Sequence, residues 1–134
     1  MIEEIEPNTA PYQDRLKMLE RIISMEIPSA VTLKPILPFI SIEEYQSIID
    51  DTAFVGRYLT GSLYVHSNTD FFKQYITDKY ATEVREVDWV IGECKWMSIV
   101  QDERIEAIRR YIMAKGSEEF SSDVALLETL SLTL

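Results

Sequence analysis

One apolar series constrains this chain more than any other stretch of it. Phe72, Ile76, Tyr80, Val84, Val87, Ile91, Cys94 and Ser98 recur at intervals of three and four residues, the spacing that keeps side chains on one face of an α-helix. That spacing predicts a long central helix over residues 69–100. Asn68 or Thr69 would cap it, Asp70 suits its first turn, and Gly92 is its weak interior position, costing about 1 kcal/mol relative to alanine. The expected fold is therefore mainly α: a single small helical domain of four or five helices around the central one, with a proline-rich connector and an apolar C-terminal tail.

The flanking segments extend this reading. Tyr12, Leu16, Leu19, Ile23 and Ile27 follow Pro11 at helical spacing, and Pro28 stops the helix. Pro28, Pro35 and Pro38 then forbid a regular helix over residues 28–40 and predict an extended connector. Ser41-Ile42-Glu43-Glu44 is a capping box, with Ile40 and Tyr45 placed as a hydrophobic staple, so a helix begins at residue 42. Residues 51–67 stay open between a helix from Ala53 to Leu59 and a short strand from Ser62 to His66, because Gly56 and Gly61 weaken both. A further helix spans residues 102–115, opened by Asp102 and Glu103, closed by Arg109, Arg110 and Lys115, and capped by Gly116. These boundaries divide the chain into a helical domain, 1–116, and a C-terminal interaction tail, 117–134.

Composition excludes several classes. At 134 residues with 46% apolar content, the chain buries a core without staples. No run approaches the roughly 18 apolar residues that span a bilayer, so no membrane association is expected. The acidic Met1-Ile2-Glu3-Glu4-Ile5-Glu6 start is unlike a secretory signal, which places the protein in the cytoplasm or elsewhere inside the cell. Cys94 is the only cysteine and His66 the only histidine, so a disulfide, a zinc site and a histidine-based triad are all out of reach. No cofactor and no resident metal are expected. With 13 basic against 23 acidic residues and a net charge of −10, direct nucleic-acid binding is disfavoured, whereas a basic protein surface is attracted and steered.

Two stretches carry the motifs. Val87-Asp88-Trp89-Val90-Ile91-Gly92-Glu93-Cys94-Lys95-Trp96 resembles the core of PD-(D/E)xK nuclease domains, notably those appended to archaeal-type ATPases. The likeness covers about ten residues and rests on Glu93, Lys95 and Trp96. It implies a strand in which Glu93 and an earlier Asp hold a divalent metal and Lys95 positions the attacking water. Asp88 and Asp78 are the two candidates for that Asp. Only four residues separate Asp88 from Glu93, whereas Asp78 falls inside the helical periodicity. Gly56-Arg57-Tyr58-Leu59-Thr60-Gly61-Ser62 echoes a phosphate-binding loop but lacks its lysine.

The second stretch is the tail. Val124, Leu126, Leu127, Leu130, Leu132 and Leu134 make it apolar. Residues 123–130 suit a short helix, while Thr129 to Leu134 alternates as a strand does. Trp89 and Trp96 stand seven residues apart, on one face of the expected central helix and offset from its stripe. The five leucines and these two tryptophans are the candidate partner-binding residues, and no catalytic residue is assigned. The sequence reads as a non-enzymatic interaction protein: a small acidic adaptor, inhibitor, immunity-type or assembly factor. Its partner is a protein with a basic surface, with self-association through the tail as a further expectation. The alternative is a degenerate or active metal-dependent nuclease using Asp78 or Asp88, Glu93 and Lys95.

Overall fold

The computed structural model of the chain describes residues 8–66, 69, 83–91 and 94–132. Among them the elements run α1 (Tyr12–Ser24), β1 (Val31–Leu33), α2 (Ile42–Thr52), β2 (Arg57–Thr60), β3 (Tyr64–His66), β4 (Val84–Ile91), β5 (Cys94–Ile99), α3 (Asp102–Ala114), β6 (Glu118–Phe120) and α4 (Asp123–Leu132). The six strands form two three-stranded sheets. The architecture is thus an α/β mixture, which overturns the mainly α expectation.

The correction centres on the expected central helix. Residues 84–91 and 94–99 are antiparallel strands, with Ile91 paired to Cys94 and Val84 to Ile99. The helical period does not correspond to a shared face of the sheet. Between the pairs Glu86–Met97 and Val90–Lys95, β4 advances four residues while β5 advances two. The extra residues make an irregularity in the ladder, yet the register leaves Val84 and Ile91 on opposite faces, because their partners Ile99 and Cys94 stand five apart on β5. The β-branched and aromatic content of this stretch favours the strand. The earlier part of the stripe, Phe72, Ile76 and Tyr80, lies outside the described residues.

The first sheet is parallel, in the order β1-β2-β6, with Val31 opposite Tyr58 and Tyr58 opposite Glu119. Parallel neighbours need crossovers. The first is α2, and the second contains the whole antiparallel sheet and α3. Both crossovers advance the same way across the sheet, so a common hand puts α2 and α3 on the same face. There they meet each other and enclose the main core of Leu33, Ile36, Tyr45, Ile49, Tyr58, Ile105, Ile108 and Ile112. The second sheet, in the order β3-β5-β4, packs Val65 and Ile99 with Leu63, Leu37, Phe39 and Met97 into a smaller core.

Local chemistry sets the joints. Ser41 Oγ accepts from the Glu44 N–H at 3.1 Å while Glu44 Oε2 accepts from the Ser41 N–H at 3.1 Å, so the capping box forms and α2 starts at residue 42. At the far end of α3, Gly116 takes a φ of +77°, a left-handed conformation that glycine adopts without a Cβ penalty. Residues 34–40 are fastened to α3 from beneath. The Gln101 amide donates to the Ile36 carbonyl at 2.6 Å, and the Arg104 guanidinium donates to the Leu37 and Ile40 carbonyls. Tyr45 completes the anchor by accepting from the Leu37 N–H at 2.7 Å. Among the described residues, no helix is long and apolar enough to cross a membrane.

Candidate functional site: an apolar terminal helix

Residues 123–132 fold as one helix, so the strand alternation from Thr129 onward is not realised in the described part of the tail. Ser122 starts α4: its carbonyl accepts from the Leu126 N–H at 3.1 Å and its hydroxyl from the Ala125 N–H at 3.4 Å. Asp123 then sits in the first turn, where the helix dipole favours a carboxylate. Thr129 and Ser131 donate their hydroxyls to the carbonyls of Ala125 and Leu127, at 3.0 and 2.8 Å. Those polar groups are satisfied within the helix, which leaves its surface to aliphatic carbon.

That surface is apolar on opposite sides. Leu126 is buried and Leu130 half-buried on the side facing the domain. On the other side Val124 is 64% exposed, Leu127 61% and Leu132 88%. With Glu128 and Ser131 they line one shallow surface groove, at helix positions i, i+3, i+4, i+7 and i+8, which form a continuous stripe. Carboxylates edge it: the side chain of Asp123 is 63% exposed, and Glu128 is exposed. Residues 117–134 contain no Lys or Arg.

The helix is held by β6, on which it packs, and by an ion pair at its first turn. Lys34 Nζ lies 3.0 Å from Asp123 Oδ1. To reach it, the Lys34 stem crosses Gly61 so closely that a Cβ there would come within 2.9 Å of two stem carbons. Glycine at 61 is what lets the lysine pass.

The seven residues singled out in the sequence therefore separate. Leu126 points inward, Leu127 and Leu132 point outward, Leu130 is intermediate, and Leu134 lies outside the described residues. Trp89 and Trp96 do not share a helix face, because they lie on adjacent strands. Trp96 is half-buried, with its ring 5.8 Å from that of His66 in an edge contact. The side chain of Trp89 is outside the described residues. Val124, apolar in the tail but not among the seven, joins Leu127 and Leu132 on the outer side, as its place three residues before Leu127 requires.

The residues of the nuclease resemblance divide in the same way. Asp88 is exposed on β4 and Lys95 is on β5, paired with Val90. Asp78 and Glu93 lie outside the described residues, as does the Lys95 side chain. A strand at Cys94–Ile99 is the secondary structure the resemblance implies. Among the described residues, however, no three His, Cys, Asp or Glu side chains gather as a metal cage.

The remaining charged clusters are internally paired. Glu119 accepts from Thr60 at 2.5 Å and from Arg109 at 3.2 Å. Asp50 accepts from Lys115 at 2.7 Å and from Tyr111 at 2.8 Å. Hydrogen bonds from Lys115 and Tyr111 hold the Asp50 carboxyl below its ordinary value, and the same contact raises Lys115. Such pairs brace the fold, whereas Val124, Leu127 and Leu132 on the outer side of α4 stay exposed. No family model matches the chain, and no curated protein or solved structure is significantly similar to it.

Proposed function

We propose that this is a non-enzymatic interaction protein that lays α4 into an apolar groove of a second, different protein whose rim carries Lys and Arg. The observation that carries the reading is the double-sided apolar character of α4. Helices apolar all round are buried in their working state, yet Val124, Leu127 and Leu132 are bare while Leu126 and Leu130 already serve the domain. Anchors at i, i+3 and i+8 are the pattern of a helix docking in a groove. Charge selects the occupant. Glu128 lines the stripe and the chain has a net charge of −10, so a second copy would bring like charges together, whereas a basic rim pairs with the carboxylate. An acidic adaptor, inhibitor or assembly factor fits this description.

The test is a photo-reactive residue placed at 127 or 132 in the full chain inside its native cell, with Glu43 on α2 as the exposed control. The expected result is one adduct with a different protein at 127 and 132, absent at Glu43, mapping to an apolar groove flanked by basic residues. Introducing Val124→Asp and Leu127→Asp should abolish the adduct at 132. Because both side chains are exposed, stability should move by no more than about 0.5 kcal/mol. Equal labelling at Glu43, or an adduct made only with a second copy of the chain, would overturn the reading.

A further inference from the structure

Away from α4, the chain carries a cleft of about 290 Å³ enclosed by three elements. Leu16 and Leu19 of α1 form one wall, Val31 and Leu33 of β1 another, and Ile48 of α2 the floor. The floor is continuous with the main core, which contains Leu33 and packs against Val31 and Ile48. Protein interiors leave few voids larger than a water molecule, and carbon that faces such a space forfeits dispersion contacts. Here the cost falls on α1, which has no buried residue. Leu16 and Leu19 are left half-buried.

The polar groups around the cleft decide what would fill it. Of the described lining residues, Tyr12, Arg15, Thr32 and Thr52 carry polar side-chain atoms. The Tyr12 hydroxyl donates to Asp51 at 2.9 Å. Thr52 is buried, donates to the Ile48 carbonyl at 2.7 Å and bonds the Tyr58 hydroxyl at 2.8 Å. Arg15 is exposed and has an interaction of its own, and Thr32 is exposed on β1. None of the four offers an uncommitted charge to an occupant, so a charged ligand would lose its hydration and gain no partner. Enclosure by three elements suits a compact molecule, whereas an extended peptide needs an open groove or sheet edge. An aliphatic cavity of about 150 Å³ takes benzene, so this cleft has room for roughly ten carbon atoms. We infer that the α1 cleft is a binding site for a compact, uncharged, hydrocarbon-like molecule, which fastens α1 to the domain by filling the space between Leu16, Leu19, Val31 and Ile48. The site does not depend on the α4 stripe or on the partner proposed for it.

The probe is 2-methylnaphthalene, titrated into the full chain below its solubility limit and followed by methyl NMR, thermal melting and amide exchange. The expected result is saturable movement of the Leu16, Leu19, Val31 and Ile48 methyl signals together with a raised melting temperature. Exchange across Tyr12–Ser24 should slow severalfold. The charged analogue, 2-naphthoate, carries a carboxylate on the same ring system and should bind at least about tenfold more weakly. Leu19→Trp and Leu16→Phe fill the cleft from half-buried positions on a helix with no buried residue, so the chain stays folded. The first should abolish binding of 2-methylnaphthalene and the second weaken it. Equal affinity for 2-naphthoate and 2-methylnaphthalene in the native chain would overturn the assignment of an uncharged ligand. Absence of saturable movement, movement confined to Val124, Leu127 and Leu132 of α4, or binding that both variants leave intact would overturn the site itself.

Discussion

Thr60, Glu119 and Arg109 show how single residues tie the two ends of the chain together. Thr60 is fully buried at the end of β2, and its hydroxyl donates to Glu119 on the neighbouring β6. Arg109 reaches down from α3 to the same carboxylate oxygen, with side-chain exposures of 31% for the arginine and 13% for the glutamate. A carboxylate this enclosed is tolerated because both donors converge on it. Arg109→Met should therefore cost about 2 kcal/mol in urea unfolding, because it strands Glu119 with one neutral partner. Adding Glu119→Leu to that variant should recover part of the loss, because two apolar side chains leave no buried charge. A double variant as unstable as the sum of the two single ones would show that the pair is not coupled.

Among the elements, α1 is the least secured. Its inner residues Leu16, Leu19, Ile22 and Ile23 are only half-buried, and Tyr12 donates a hydrogen bond to Asp51 at 2.9 Å. Burial and that bond to Asp51 push the Tyr12 hydroxyl up to about 12. The sign follows from linkage: a value raised above the ordinary 10 means the tether contributes fully below pH 10 and is lost as pH rises through about 12. Tyr12→Phe should raise amide exchange across Tyr12–Ser24 severalfold while the global melting temperature stays within a degree or two. In ¹³C-tyrosine spectra it should also remove a phenol that titrates near 12. Exchange in α1 as slow as in α3 would contradict the loose attachment. The capping box of α2 was legible in the sequence because its chemistry is contained in four consecutive residues. The strand pair β4–β5 was not, because apolar residues three and four apart match a helix period even though the register puts Val84 and Ile91 on opposite faces. One signal did point to it: only residues 92 and 93 separate the paired Ile91 and Cys94, and glycine at the first of two linking positions favours a hairpin. In the tail the leucines were legible as apolar, but their division between Leu126 and Leu127 depends on which side β6 occupies.

At the scale of the whole molecule, the parallel sheet joins residues 31–33, 57–60 and 118–120. Strands of three and four residues are too short to display a period, and their partners are set by crossovers rather than by neighbours in the chain. The third strand lies beyond Gly116, so the segment that carries α4 also completes the sheet. Ending the chain at Gly116 would strip β2 of its partner on that side and remove the carboxylate that Thr60 and Arg109 share. It would also uncover the apolar surface beneath Leu126, which is 7% exposed. Losing one member of this partly enclosed ion pair costs about 2 kcal/mol, to which the lost strand and the uncovered apolar surface add, against a total stability of about 5–15 kcal/mol. The shortened chain should therefore melt at least about 10 °C lower than the full one, or lose its cooperative transition, as read by far-UV circular dichroism. It would then fail to bind any partner for reasons unrelated to the α4 stripe, which is why the binding test relies on exposed substitutions in the full chain. An unchanged melt after removal of 117–134 would mean that residues 1–116 hold the sheet without β6.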